Sequence, residues 1–223
     1  MLDNAAWHSL NGPRREHGTV LTHAGRFEPD VSPLSAVDDD AGPGAWDELR
    51  SLVGPGRGAT LFRPGLDVPD GWTVSFRGPG VQMVAERVDA VDDGRFVSLG
   101  PDDAADMLAL VAETKPGPFG PRTVELGGYL GLRESGRLVA MAGERLRCPG
   151  YTEISAVCTL DSHRGRGLGT ALVLALVHNI RARGDEAFLH AAADNENAIR
   201  LYRALGFTLR RDDVDAIIVR APA

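Results

Sequence analysis

The chain has 223 residues, a quarter of them charged, and a formal net charge of −7. That length carries one large domain or two small ones; the acidic balance, without a basic run, argues against a nucleic-acid surface and hints at a cationic substrate. Cys148 and Cys158 are too few for a disulfide framework, no apolar run reaches membrane-spanning length, and residues 1–10 lack the parts of a signal peptide, so a reduced, cytoplasmic protein is expected.

Residues 1–40 read as irregular, with turn signals at Asn11-Gly12-Pro13, Glu28-Pro29-Asp30 and Ser32-Pro33. Residues 45–53 have the spacing of a short amphipathic helix, ended by Gly54-Pro55. Strands are expected at 59–63, 72–77 and 81–87, with Gly78-Pro79-Gly80 as a turn. A fresh start near Phe96 leads into a helix capped by Asp102 or Asp103 and running to Ala112. The loop over 114–123 holds three prolines and cannot be helical. Residues 129–133 and 137–144, joined by Glu134-Ser135-Gly136, read as a hairpin. The last strands are expected at 207–211 and 216–220, with Asp212-Asp213 turning between them.

The stretch from Glu153 to Gly206 carries the chemistry. An apolar, β-branched run over 153–160 reads as a strand. It is followed by Arg164-Gly165-Arg166-Gly167-Leu168-Gly169-Thr170, which passes directly into the buried-helix pattern of 171–177. Strand, glycine-rich turn and helix make an anion cradle: glycines let successive N–H groups converge, the helix N-terminus adds its dipole, and arginines add donors. A nucleotide P-loop fits poorly because it ends in Gly-Lys-Ser/Thr and the only lysine is Lys115, which weighs against a nucleotide-binding enzyme. The dinucleotide fingerprint fails because Thr170 stands where its third glycine belongs.

The loop fits Arg-x-x-Gly-x-Gly through Arg164, Gly167 and Gly169, and so resembles the coenzyme A pyrophosphate loop of the GNAT acyltransferases. A second motif agrees. After a strand over 187–193, Asn195 can cap a helix, and Asn197, Ala198, Leu201, Tyr202, Gly206 and Phe207 match the family's pattern. The resemblance implies an α/β GNAT fold, with a mixed, mostly antiparallel sheet flanked by helices. Residues 96–223 would be the catalytic domain and 1–95 a smaller, degenerate GNAT-like half, as in the glycine N-acyltransferase-like branch.

The resemblance also assigns roles. Acetyl-CoA would be the co-substrate, with Arg164, Gly165, Arg166, Gly167, Leu168, Gly169 and Thr170 on its pyrophosphate and Asn197 on its pantetheine arm. Val157, Cys158, Thr159 and Leu160 would pair with pantetheine through their backbone, where the strand splays from its neighbour. Glu153 is the expected general base, directly or through a water, with Glu144 and Glu125 in reserve, and Tyr202 is the expected acid for the leaving thiolate. Cys158 as a nucleophile lacks a histidine placed by sequence to activate it, and His163 and His190 read as turn and strand polar residues. No spacing suggests a metal site. The expected reaction is direct acyl transfer to a small-molecule amine or amino-acid-like acceptor, with no nucleic-acid or membrane partner and a homodimer allowed. A non-catalytic acyl-CoA sensor is the rival from another class.

Overall fold

The computed structural model describes residues 1–40, 42–91 and 94–223. Its backbone is one eight-stranded sheet with helices on both faces, and a three-stranded sheet at one end. In chain order the elements are α1 (Ala5–Leu10), β1 (Gly18–Val20), β2 (Ala24–Phe27), β3 (Ser35–Val37), α2 (Pro43–Val53), β4 (Gly58–Pro64) and β5 (Thr73–Val84). Then come β6 (Val97–Leu99), α3 (Ala104–Thr114), β7 (Tyr129–Glu134), β8 (Arg137–Cys148) and β9 (Tyr151–Thr159). The last are α4 (Leu168–Ala182), β10 (Glu186–Ala192), α5 (Glu196–Leu205) and β11 (Thr208–Arg220).

The large sheet runs β4-β11-β5-β10-β9-β8-β7-β6. Only β9 and β10 are parallel, so the sheet is mixed and mostly antiparallel. Helix α4 covers one face. Its Leu168, Leu172, Val173, Leu176, Val177 and Ile180 recur at helical spacing and pack with Ala140, Ala142, Ile154, Ala187 and Leu189. Each fully buried Leu or Val there contributes roughly 1.5–3 kcal/mol. The opposite face is covered by α1 and the N-terminal segment, where Trp7, Leu10, Phe27 and Leu34 meet Leu146, Phe188 and Val84. α3 covers its far end, with Met107 and Leu110 packed against Tyr129, Val139 and Met141.

Several sequence expectations change. Residues 1–40 are ordered into α1 and a β1-β2-β3 sheet, in pieces too short for periodicity to reveal. Gly78-Pro79-Gly80 is not a turn but the middle of the continuous β5. A Cβ on Gly80 would lie 2.8 Å from the Val214 carbonyl and 3.2 Å from that of Ala191, so glycine there serves strand-to-strand approach. Asp212-Asp213 is likewise a register irregularity inside one long β11, braced by a 2.6 Å bridge from Arg211 to Asp213. The expected boundary at 95/96 does not divide the sheet, because β4 and β5 pair with β11 and β5 also pairs with β10. The hairpin forms as expected, with Ser135 and Gly136 both at positive φ in its two-residue turn.

Candidate active site

Gly165 (φ 77°) and Gly167 (φ 72°) are left-handed, and this turns the chain from β9 into α4. Among the described residues no backbone hydrogen bond is made by the N–H groups of Gly165, Arg166 or Gly167, whereas Ala171 already donates to the Gly167 carbonyl. The first-turn N–H groups of α4 have no partner within the helix. Together these amides form a concave, positive site at a helix N-terminus, and this fits a pyrophosphate. Gly169 differs from its neighbours: its φ is not left-handed, and a Cβ there would make only an ordinary 3.9 Å contact with Val157. What Gly169 keeps open is space in front of the loop.

Strands β9 and β10 pair only at Tyr151–Glu186, Thr152–Ala187 and Glu153–Phe188. Beyond Glu153 they splay, leaving the β10-facing edge of residues 154–159 without a strand partner. On its other edge β9 pairs with β8, but the register slips between Ser155–Gly143 and Cys158–Met141. Ala156 sits in that bulge at φ 53°, a strained position for an alanine. The splay opens a slot through the sheet. A cleft of about 990 Å³ passes along it, lined by residues 154–159, the loop from His163 to Thr170 (Arg166 excepted), and Asn195, Asn197, Leu201 and Tyr202. It continues to Phe62, Phe76, residues 78–80, residues 114–118, Arg145 and His190.

A second bulge builds this far end. Arg145 and Leu146 together oppose the single residue Glu153, between the pairs Glu144–Ile154 and Arg147–Thr152. The extra residue tips Arg145 onto Glu153 in a bidentate pair of 2.6 and 2.9 Å, and the Leu146 N–H donates to the same carboxylate at 3.3 Å. His190 Nδ1 lies 2.7 Å from the other Glu153 oxygen. Gln82 fixes the tautomer. Its Nε2 donates to the Leu2 carbonyl at 2.8 Å and its Oε1 accepts from Arg210 at 2.7 Å. Gln82 Nε2 thus presents its remaining N–H to His190 Nε2 at 2.9 Å. His190 therefore accepts at Nε2 and donates from Nδ1 to Glu153. Burial alone would raise the Glu153 carboxyl, but the Arg145 guanidinium and the hydrogen bonds from Arg145 and His190 outweigh it and hold it at about 2.

Tyr202 is buried on α5, its ring 5.6 Å from that of Phe207. It lines the cleft, and its hydroxyl has no hydrogen-bond partner among the described residues. Burial pushes it up to about 12, so it carries its proton at neutral pH.

Comparison with known proteins agrees with this geometry. The family model described as FR47-like protein matches residues 129–215. A mycothiol acetyltransferase of Thermomonospora curvata is 30% identical over 214 residues, covering 90% of this chain and 68% of that protein. The chain belongs to the GNAT acetyltransferases. A structure from Novosphingobium aromaticivorans assigned to the same family is 38% identical, covers 100% of this chain and 98% of its own, and superposes with a TM-score of 0.89. The N-alpha-acetyltransferase RimI of Mycobacterium tuberculosis is 38% identical over 82 residues, which are 35% of this chain and 51% of that protein.

In this acetyltransferase the expected site residues divide. Val157, Cys158, Thr159, Arg164, Gly165, Gly167, Leu168, Gly169, Thr170, Asn197 and Tyr202 all line the cleft. Leu160 does not; it is buried against Met107, Val139 and Met141. Arg166 turns away to Glu134, at 2.5 Å, an ion pair shared with His163. Glu153 is fully buried behind Arg145 and His190 and has no surface on the cleft, so an amine in the cleft cannot touch it. Of the reserves, Glu144 pairs with Arg183 at 2.7 Å and Glu125 with Arg122 at 2.7 Å, both away from the cleft. Asn195 caps α5 as expected, accepting from the Ala198 N–H at 3.2 Å. Cys158 is buried, and burial raises its thiol, which argues against a nucleophile. Among the described residues no cluster of His, Cys, Asp or Glu could hold a metal, and no helix is long and apolar enough to cross a membrane. Sequence reasoning missed Arg145, His190 and Phe62 as cleft residues; the bulge that aims Arg145 leaves no signature in residue type, and His190 sits on a regularly paired strand whose neighbours are distant in the chain.

Proposed function

We propose that this acetyltransferase moves an acetyl group from acetyl-CoA to a primary amine by direct transfer, with both substrates bound. The observation that carries the proposal is the unpaired edge of β9 beside the glycine cradle and the Tyr202 hydroxyl, all on one cleft. Pyrophosphate would rest on the amides of 165–170 with Arg164 beside them. Pantetheine would lie along the open edge at Val157, Cys158 and Thr159 as an added strand, with Asn197 beside the arm. An N–H of that edge would polarise the thioester carbonyl.

The amine reaches the carbonyl through the slot from the side of Arg145 and His190. No carboxylate among the described residues lines the cleft, so Glu153 acts through His190. Its carboxylate holds the Nδ1–H, and Nε2 takes the proton released as the C–N bond forms, displacing the Gln82 contact. Tyr202 gives a proton to the departing thiolate. Exchange with solvent then restores both groups. Placement in the glycine N-acyltransferase-like branch rests on the spacing of Glu153 to Arg164, the 194–207 motif and the length of chain ahead of residue 96.

The test is release of free thiol from acetyl-CoA across amino acids, polyamines, aminoglycosides and peptide N-termini. Thiol appearing with one class supports the proposal. Tight acetyl-CoA binding without thiol release from any amine would make this a sensor and sink the enzymatic reading.

A further inference from the structure

The protein is acidic as a whole, yet its cleft is not. Among the described residues the charged side chains lining it are Lys115, Arg145 and Arg164, all cationic, with His163 and His190 and no Asp or Glu. Arg164 belongs to the cofactor loop. Arg145 belongs to the acceptor end and is nine-tenths enclosed, its side chain 11% exposed.

Glu153 occupies two of the three guanidinium nitrogens, Nε and Nη2. Nη1 has no hydrogen-bond partner among the described residues although the residue borders the cleft. The guanidinium plane is fixed twice over, by that bidentate pair and by the Phe62 ring, whose centroid lies 5.4 Å from Cζ. A rigid cation with two unsatisfied N–H groups, bordering the cleft, is an anion-binding element. Phe62 and Phe76 give this end of the cleft its apolar surface, with the half-exposed Phe76 ring folded over Gly78.

We infer that Arg145 Nη1 binds the carboxylate of the acceptor, so that the substrate is a free amino acid or a close analogue whose apolar side chain lies against Phe62 and Phe76. This rests on the N-acetyltransferase reading and narrows it. Polyamines and aminoglycosides would meet Arg145 and Lys115 with like charge and no carboxylate to offset it. A protein N-terminus carries an amide where the free amino acid carries a carboxylate, and so leaves the Nη1 donors without an ionic partner. Glu153 is then a positioning residue for both sides of the reaction: it fixes the cation that holds the acceptor and the imidazole that takes its proton.

The test measures binding to the product side of the reaction and needs no turnover. Coenzyme A binding is titrated first, and its absence would overturn the parent proposal. N-acetyl-L-phenylalanine and N-acetyl-L-phenylalaninamide are then titrated by calorimetry into the coenzyme A-saturated protein. One charge-assisted contact predicts that the carboxylate binds at least about tenfold tighter than the amide. Arg145→Lys keeps a cation beside Glu153 but removes the fork, and should erase that difference while leaving coenzyme A affinity unchanged. Equal affinities in the wild type, tighter binding of the amide, or no binding of either would overturn the assignment, whatever the variant does.

Discussion

The two ends of the cleft are built by different means. The proposed cofactor end is made of backbone: left-handed glycines, the first turn of α4 and the open edge of β9. It needs little of any side chain except smallness at Gly169 and a hydroxyl at Tyr202. The acceptor end is made of side chains drawn from β4, β5, β8 and β10, each fixed by a neighbour: Arg145 by Glu153, His190 by Glu153 and Gln82, Gln82 by Arg210 and the Leu2 carbonyl. A backbone site tolerates loss of one donor, whereas a side-chain network fails as a unit.

That difference orders the expected effects. The largest should follow Glu153→Ala, which leaves the Arg145 guanidinium buried and unpaired. A loss of about 3–5 kcal/mol in denaturant unfolding is expected, together with loss of activity. The same carboxylate sets a pH dependence. Its folded value of about 2 lies below the ordinary 4.5, so its contribution is fully present above pH 4.5 and is lost as pH falls from 4.5 toward 2. The stability gap between wild type and Glu153→Gln should therefore shrink across that window, and a gap that stays constant would mean the carboxylate is not held by Arg145. Since Glu153 is ionised far below neutral pH, the acid limb of the rate profile should not report a carboxylate near 4.5.

Next in size is Tyr202→Phe. It keeps the ring packed on Phe207 and removes only the hydroxyl, so kcat should fall by about 10²-fold or more while acetyl-CoA affinity holds. Unchanged kcat would remove its acid role. The loop should be more forgiving. Gly167→Ala forces a side chain into φ 72°, costs about 1–2 kcal/mol, and should weaken acetyl-CoA binding measurably. The smallest effects separate the two arginines. Arg164→Ala should weaken acetyl-CoA by about tenfold, whereas Arg166→Ala should change it by no more than about twofold, because both pair with a surface carboxylate but only Arg164 lines the cleft. Equal effects would mean that Arg166 leaves Glu134 for the cofactor.

The same contrast explains what the sequence made legible. A backbone site is encoded locally, so Gly165, Gly167, Gly169 and the 195–207 motif that contains α5 were readable as contiguous motifs with a mechanical reason for each residue. The splay of β9 followed from the family resemblance. The acceptor end had no local encoding. Phe62, Arg145 and His190 are far apart in the chain, and Arg145 reaches the cleft only through a bulge that no residue type announces. Pro79 read as a turn because proline removes a ladder donor. In the structure β10 pairing ends at Gly80, and the Pro79 carbonyl accepts from Ala193 instead. Glu153 was singled out for its spacing, but it is fully buried behind Arg145 and His190 and does not line the cleft.

The most direct measurement is calorimetric titration of acetyl-CoA into the wild type and into Gly169→Trp. The substitution strains no left-handed backbone, its Cβ would make only an ordinary contact with Val157, and residue 169 lines the cleft that its ring would fill. Binding to the wild type that disappears in a folded Gly169→Trp protein is the predicted result. Equal binding to both proteins, or none to the wild type, would contradict the placement of the cofactor in this slot.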